Sequence, residues 1–182
     1  MEKPVGRTLE SEDGLVRLRL LDIDHDVAVA TAWYRDEVVR WGSEGTTELF
    51  TPERVARMYQ VLSARGEVYI VEVRDRDAFV AVGDAALSPV GVPIVIGESA
   101  WRGRGIGRRV LALLIRRARA LGYPELMAHQ IYADNQASLR LYERAGFKII
   151  GGGEEHGRPF FRLRLDLREA PTPATGSPPA LL

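Results

Sequence analysis

A glycine-rich segment near the middle of the chain, Gly103–Gly107, constrains the fold more than any other feature of the sequence. The apolar run Val92–Ile96 before it predicts a short central strand, and the pattern after it predicts a helix over Arg108–Leu121. Glycine lets a backbone approach a ligand closely, and such a turn points several N–H groups at one spot at a helix N-terminus. The segment therefore predicts a strand–turn–helix unit able to cradle an anion.

The charges around this turn agree with an anionic ligand. Seven arginines lie between residues 102 and 119, and no acidic residue occurs between Ser99 and Pro124. The turn is not a P-loop, because no Gly-Lys-Ser/Thr follows it, and it is not a Rossmann fingerprint, because Arg108 replaces the third glycine. Two alternatives stay open at this point: a tight connection with a solvated basic helix face, and nucleic-acid binding through that face.

Periodicity and turn signals divide the rest of the chain into interleaved strands and helices. We predict strands over 15–21, 68–73, 78–87, 126–132, 147–150 and 160–167, and helices over 24–41, 51–65 and 135–145. This order indicates a single α/β (α+β) domain with a mixed central sheet of about six to seven strands flanked by about four helices. We place it at residues 14–168, after a flexible leader at 1–13 and before a mobile Pro/Ala-rich tail at 169–182.

Composition excludes several classes of protein. The chain has no Cys, which removes disulfides, thiol catalysis and Cys-based metal sites, and we predict no metal. The apolar run Val110–Ile115 is far shorter than the roughly 20 residues of a membrane helix, and the N-terminus lacks a signal-peptide pattern. We expect a soluble cytoplasmic protein with neither a membrane nor a nucleic acid as partner. Its net charge of zero conceals two halves, net −7 over residues 1–98 and net +7 over 99–182.

A second segment carries polar side chains at helical spacing. Asn135, Ser138 and Tyr142 stand at positions i, i+3 and i+7 of the predicted helix, so they share one face. Each has a structural alternative, with Asn135 as an N-cap and Tyr142 as a half-buried packing residue.

Together the two segments resemble the GNAT superfamily of N-acetyltransferases. The family's cofactor motif corresponds to Arg102–Gly107, and its second motif to Asn135, Tyr142 and the pair Gly146–Phe147. The resemblance is specific over residues 92–150. The segment Trp33–Val38 is similar to a subgroup that contains aminoglycoside, spermidine and ribosomal-protein N-terminal acetyltransferases.

The resemblance implies acetyl-CoA as the co-substrate. By analogy, the pyrophosphate would lie on the N–H groups of Arg102, Gly103, Arg104, Gly105, Ile106 and Gly107, with Arg104, Arg108 and Arg109 as candidates for the phosphates. The strand residues Val95, Ile96 and Gly97 would pair with the pantetheine arm. Asn135 would hydrogen-bond that arm, and Ser138 and Tyr142 would face the sulfur.

Acetyl transfer to an amine requires a base, an oxyanion site and an acid. Without Cys or a visible Ser–His pair, we predict direct transfer from the thioester. A phenol with a pKa of about 10 is able to protonate a departing thiolate, which makes Tyr142 the candidate acid. Glu98, just after the strand, is the candidate base. Asp84 and the strand histidine His129 are poorer candidates, and a water chain remains an alternative.

The acceptor is predicted to lie over the acidic N-terminal half, with Trp33, Tyr34 and Asp36 as substrate-binding candidates. Acidic and aromatic residues favour a small cationic amine such as an aminoglycoside or a polyamine. The structural alternative is that Trp33 and Tyr59 belong to the core. A protein N-terminus as acceptor, a non-catalytic acyl-CoA sensor of the same fold and a homodimer also stay open.

Overall fold

Eight strands form two antiparallel sheets in the computed structural model, which describes residues 8–168. The five-stranded sheet has the order β1-β2-β3-β4-β5 and the three-stranded sheet the order β6-β8-β7. The strands are β1 (Thr8–Glu10), β2 (Val16–Leu20), β3 (Glu67–Asp75), β4 (Ala78–Leu87), β5 (Ile94–Ile96), β6 (Glu125–Tyr132), β7 (Lys148–Glu155) and β8 (Arg158–Asp166).

Five α-helices connect these strands, and side chains cap the N-termini of four of them. They are α1 (Ile23–Trp33), α2 (Glu37–Ser43), α3 (Pro52–Arg65), α4 (Ile106–Ala120) and α5 (Gln136–Arg144). The caps are Asp22, Asp36, Thr51 and Asn135, each of which accepts a hydrogen bond from a backbone N–H in the first turn. Helix α4 begins after Gly105 without any side-chain cap.

The predicted α/β fold class is confirmed, while three details differ. The helix expected over 24–41 breaks at Tyr34–Asp36, because Asp36 has an extended backbone and caps a new helix, so there are five helices instead of four. The domain begins before residue 14, because Thr8–Glu10 pair with β2 inside the segment expected to be a flexible leader. Residues 1–7 and the proposed tail at 169–182 lie outside the described residues.

The expected mixed sheet is replaced by two antiparallel ones that diverge at β5. A backbone hydrogen bond from the Val92 N–H to the Met127 carbonyl oxygen (3.0 Å) joins the two sheets, and no ladder forms between β5 and β6 in the described part of the chain. The outer edge of β5 is therefore left without a partner strand. The divergence opens a cleft beside this edge.

Packing on both faces of the five-stranded sheet fixes the helices that flank the cleft. Alternate residues of β3 point to opposite faces, so that Tyr69 and Val71 pack in one core with α4 and α5. Val68 and Ile70 pack in a second core with α1 and α3. None of the helices within residues 8–168 is both long and apolar enough to cross a bilayer.

Candidate active site

Two cavities meet at β5. The large cleft, about 1400 Å³, lies between β5, α4 and α5. The small cavity, about 500 Å³, lies between α3, β4 and β5. They share five lining residues, namely Gly42, Ser43, Ile94, Val95 and Ser138. A ligand in each cavity would therefore meet the other beside Val95 and Ser138.

The glycine turn forms one end of the large cleft. Gly103 and Gly105 have φ angles of 72° and 75°, a left-handed conformation that glycine adopts without steric cost. Because α4 has no side-chain cap, the N–H groups of its first turn are open to an anion. The N–H of Arg102 donates instead to the Ser99 carbonyl oxygen, so the predicted cradle begins one residue later, at Gly103.

Most arginines near the turn are engaged inside the protein. The Arg102 side chain donates to Asp36 Oδ2 (2.6 Å) and to the Ile96 carbonyl oxygen (2.8 Å). Arg109 pairs with Asp13, and the guanidinium of Arg104 lies over the Trp101 ring. Of these three residues, Arg102 lines the large cleft, whereas Arg104 and Arg109 line neither cavity.

Other cationic side chains line the large cleft. Within residues 8–168, five lining cations have no ion pair or hydrogen-bond partner: Arg108, Arg119, Arg140, Arg144 and Lys148. Only Arg108 was predicted for this role. The others lie at the C-terminal end of α4 and on or just after α5, and the sequence does not reveal that these elements face each other. Unpaired cations along a cleft that also contains an uncapped helix N-terminus fit a polyanion.

Asn135, Ser138 and Tyr142 lie close to both cavities, as the helical spacing predicted. The amide of Asn135 caps α5 through Ser138 N–H (3.1 Å) and donates to the Gly42 carbonyl oxygen (3.2 Å). The Ser138 hydroxyl makes no hydrogen bond to any described residue and lines both cavities. Tyr142 lines the small cavity, is 3% exposed, and donates to the Val92 carbonyl oxygen (2.7 Å). Burial raises the pKa of its phenol above the ordinary value.

Several predicted site residues lie elsewhere. Glu98 accepts a hydrogen bond from Trp33 Nε1 (3.0 Å) and lines neither cavity, so the structure does not bring the candidate base to the site. Trp33 packs against Gly97, where an added Cβ would lie 2.1 Å from its ring. Trp33 is thus a core residue, and Gly97 does not line the large cleft. Asp36 is engaged as a helix cap and with Arg102.

A buried carboxyl group lies on the wall of the small cavity instead. Asp84 pairs with Val95 across β4 and β5 and is 6% exposed. Its carboxylate accepts hydrogen bonds from Tyr59 Oη (2.8 Å) and Tyr34 Oη (3.3 Å). Burial raises the pKa of Asp84 to about 7, although the two phenol donors oppose the shift. A carboxyl group with such a pKa exchanges protons near neutral pH. The sequence analysis had ranked it below Glu98.

Charges of both signs surround this carboxyl group in the small cavity. Glu44, Arg54 and Arg57 also line it. Arg54 pairs with Glu48 and stacks on Phe50, whereas Arg57 has no partner among the described residues. No cluster of three or more potential metal-ligating side chains occurs within residues 8–168.

Known proteins similar to this chain share its fold and part of its sequence. A segment of 79 residues is 42% identical to an L-methionine sulfoximine/L-methionine sulfone acetyltransferase of Pseudomonas aeruginosa. A segment of 78 residues is 37% identical to the L-amino acid N-acyltransferase MnaT of Escherichia coli. Each match covers 38% of this chain and 45% of the relative, so it spans less than half of either protein.

A solved structure extends the likeness to the whole fold. The structure of yncA from Salmonella typhimurium with its cofactor acetyl-CoA has a TM-score of 0.64 at 22% identity, over 88% of this chain and 99% of that one. The family model described as the acetyltransferase (GNAT) domain matches residues 16–148, and it includes β5, the glycine turn and α5. The chain belongs to the GNAT acetyltransferase family.

Proposed function

We propose that the protein is an acetyl-CoA-dependent N-acetyltransferase that acts on a small amine. The observation that carries this proposal is the meeting of the two cavities at Val95 and Ser138. The large cleft has the features that a polyanionic thioester requires. The small cavity adjoins it and holds a carboxyl group that titrates near neutral pH.

The large cleft is the proposed site of acetyl-CoA. Gly103–Gly107 and the first turn of α4 would receive the pyrophosphate, and Arg108 and Arg140 would add charge. Val95 and Ile96 on β5 would lie along the pantetheine arm, with backbone N–H groups near the thioester carbonyl as oxyanion donors. The yncA structure, which contains acetyl-CoA, supports the assignment of this ligand.

Asp84 and Tyr142 are the proposed proton-transfer groups. Asp84 would accept a proton from the acceptor's ammonium group, directly or through a water molecule, so that the nitrogen has a lone pair. As the nitrogen–carbon bond forms and the carbon–sulfur bond breaks, Tyr142 would give its phenolic proton to the sulfur, and the second proton that the nitrogen loses would return to the phenolate through water. Burial raises the pKa of Tyr142 above its ordinary value, so the phenol stays protonated until the thiolate develops beside it.

The lining of the small cavity favours an acceptor that has an anionic group besides its amine. Asp84 and Glu44 would attract an ammonium group, and the unpaired Arg57 would attract a carboxylate. A polyamine or an aminoglycoside, the acceptors expected from the acidic N-terminal half, would meet that cation unfavourably. The names of the two relatives, which mention L-amino acids or methionine derivatives, support the amino-carboxylate class.

An acceptor screen tests the proposal. The full chain is incubated with acetyl-CoA and single amines (amino acids and their analogues, spermidine, an aminoglycoside and a peptide), and thiol release is followed. Turnover with amino carboxylates that falls at least tenfold in Arg57→Ala supports the proposal. Turnover confined to polycations overturns the acceptor class. Acetyl-CoA binding without turnover on any amine favours the sensor alternative.

A further inference from the structure

The last turn of α2 forms a wall shared by the two cavities. Gly42 and Ser43 line both of them, and Glu44 lines the small cavity. This turn is followed by a segment without regular structure up to Thr51. Contacts from the three-stranded sheet and α5 hold the wall in place.

The guanidinium group of Arg158 makes the central contact. It lies between two aromatic rings, 3.7 Å from the centre of Trp41 and 3.8 Å from the centre of Tyr132. Its Nη1 donates to the Trp41 carbonyl oxygen (2.9 Å), and its Nη2 donates to both carboxylate oxygens of Asp134 (2.7 and 3.0 Å). Arg158 therefore connects the end of α2 to β6 and to the residue before the α5 cap.

Two neighbouring contacts reinforce the same connection. The Asn135 amide donates to the Gly42 carbonyl oxygen. Gly45 lies so close to Tyr132 that an added Cβ would be 2.0 Å from the phenol oxygen. The wall is thus attached on both sides of Ser43.

We infer that Arg158 is a positioning residue that holds the α2 wall closed between the acetyl-CoA cleft and the acceptor cavity. It lines neither cavity, so it would act through Gly42 and Ser43 and not on the reacting atoms. The inference rests on the proposed function for its kinetic consequence. The attachment itself is a property of the fold.

Arginine is specifically suited to this position. Its flat guanidinium stacks on two rings and donates in its own plane, whereas a lysine ammonium is compact and cannot make the same set of contacts. Arg158 is 9% exposed, and its Nε has no hydrogen-bond partner in the described residues. The two ring contacts and the hydrogen bonds of Nη1 and Nη2 therefore compensate for burying the charge of Arg158.

The test compares Arg158→Lys with Arg162→Lys, a matched control on the same strand. Arg162 also lies over an aromatic ring, Phe160, but it is exposed and does not touch α2. Hydrogen exchange of the amides of residues 42–45 is expected to accelerate at least fivefold in Arg158→Lys and to stay within twofold in Arg162→Lys. Trp41→Leu, at a side chain that is 41% exposed, removes one ring without disturbing the core and should accelerate the same amides.

Steady-state kinetics separates positioning from a merely structural role. In Arg158→Lys, only a fraction of the molecules would keep the last turn of α2 in its position between the two cavities. The apparent affinity for each ligand falls in proportion to that fraction, so KM for acetyl-CoA and for the acceptor should both rise about three- to tenfold. The kcat should stay within twofold. A lower kcat with unchanged KM values would mean a smaller folded fraction and would overturn the inference, as would unchanged exchange at 42–45. If the wild-type chain turns over no amine, the proposed function fails, while the exchange experiment still decides the role of Arg158.

Discussion

Replacing Asp84 with Asn removes the proposed base with almost no change in volume. The amide oxygen still accepts a hydrogen bond from one of the two phenols, so the packing around the side chain is retained. Because a positioned base contributes about 10²–10⁴-fold, kcat/KM for the acceptor should fall by that factor at pH 8. Asp77→Asn, at an exposed turn residue between β3 and β4, is the control and should be neutral.

The pH dependence gives the sharper result. With a pKa of about 7, Asp84 is about 9% ionised at pH 6 and about 91% ionised at pH 8. The wild type takes the acceptor as its ammonium ion, so its kcat/KM should follow the ionised fraction of Asp84 and rise about tenfold between pH 6 and pH 8. Asp84→Asn depends on the free amine, whose fraction rises about a hundredfold over this range when the amine pKa lies well above 8. The ratio of wild-type to Asp84→Asn kcat/KM should therefore fall about tenfold. A ratio that is flat over this range would refute the assignment of Asp84 as the base.

Stability should change with pH in the opposite sense. The folded pKa of Asp84 lies above its value of 3.8 in an unfolded chain, so the protonated carboxyl group favours the fold. That contribution is complete below about pH 4 and is lost as the pH rises through about 7, and three pKa units correspond to about 4 kcal/mol at most. Asp84→Asn has no such term, and its free energy of unfolding relative to wild type should increase between pH 4 and pH 8. Parallel urea titrations of the two proteins at both pH values measure this difference, and parallel curves would contradict the burial argument.

Three further substitutions test other parts of the site. Tyr142→Phe should lower kcat about 10²–10⁴-fold with little change in the acetyl-CoA KM, and a loss below threefold in stopped-assay turnover would reject the phenol as the acid. Arg108→Ala should weaken acetyl-CoA binding about three- to tenfold in calorimetry, with a smaller effect at high salt, because the charge interaction is then screened. Gly97→Ala should destabilise the fold by about 2 kcal/mol or more, because its Cβ would lie 2.1 Å from the Trp33 ring. Gly151→Ala is the control and should not destabilise the fold, because its Cβ would have no neighbour within 4 Å. Denaturant unfolding compares the two variants.

The parts of the fold that local sequence determines were predictable. The caps of α3 and α5 and the apolar stripes of α3, α4 and α5 are properties of consecutive residues. The break between α1 and α2 was missed because Val38 continues the helical pattern of α1, although the Asp36 cap ends it. The division into two sheets was missed because it depends on how far β5 diverges from β6, which is a tertiary property.

The same distinction separates the site residues. The glycine turn and the Asn135 helix are local motifs, and most of their named residues line one of the two cavities. Asp84 is different, since its raised pKa depends on burial beneath Tyr34 and Tyr59, which are 50 and 25 residues away in sequence. Glu98 seemed closer to the thioester along the chain, but its carboxylate turns toward the Trp33 indole.

The charge of each half of the chain predicts a binding surface only where the charges remain unpaired. In the basic half, Arg108 and Arg140 have no partner in the described residues, and the large cleft is accordingly basic. In the acidic half several carboxylates are engaged in ion pairs, among them Asp13–Arg109, Asp26–Arg19, Asp36–Arg102, Glu48–Arg54, Glu67–Arg117 and Glu72–Arg17. Three of these pairs cross from the acidic half to the basic half, so three of the seven excess charges of each half are neutralised within the structure. Of the acids in that half, only Asp84 and Glu44 line the small cavity, together with Arg54 and Arg57. Charges of both signs in one cavity would favour the proposed acceptor with both an ammonium group and an anion, which the net charge of the half alone would not predict.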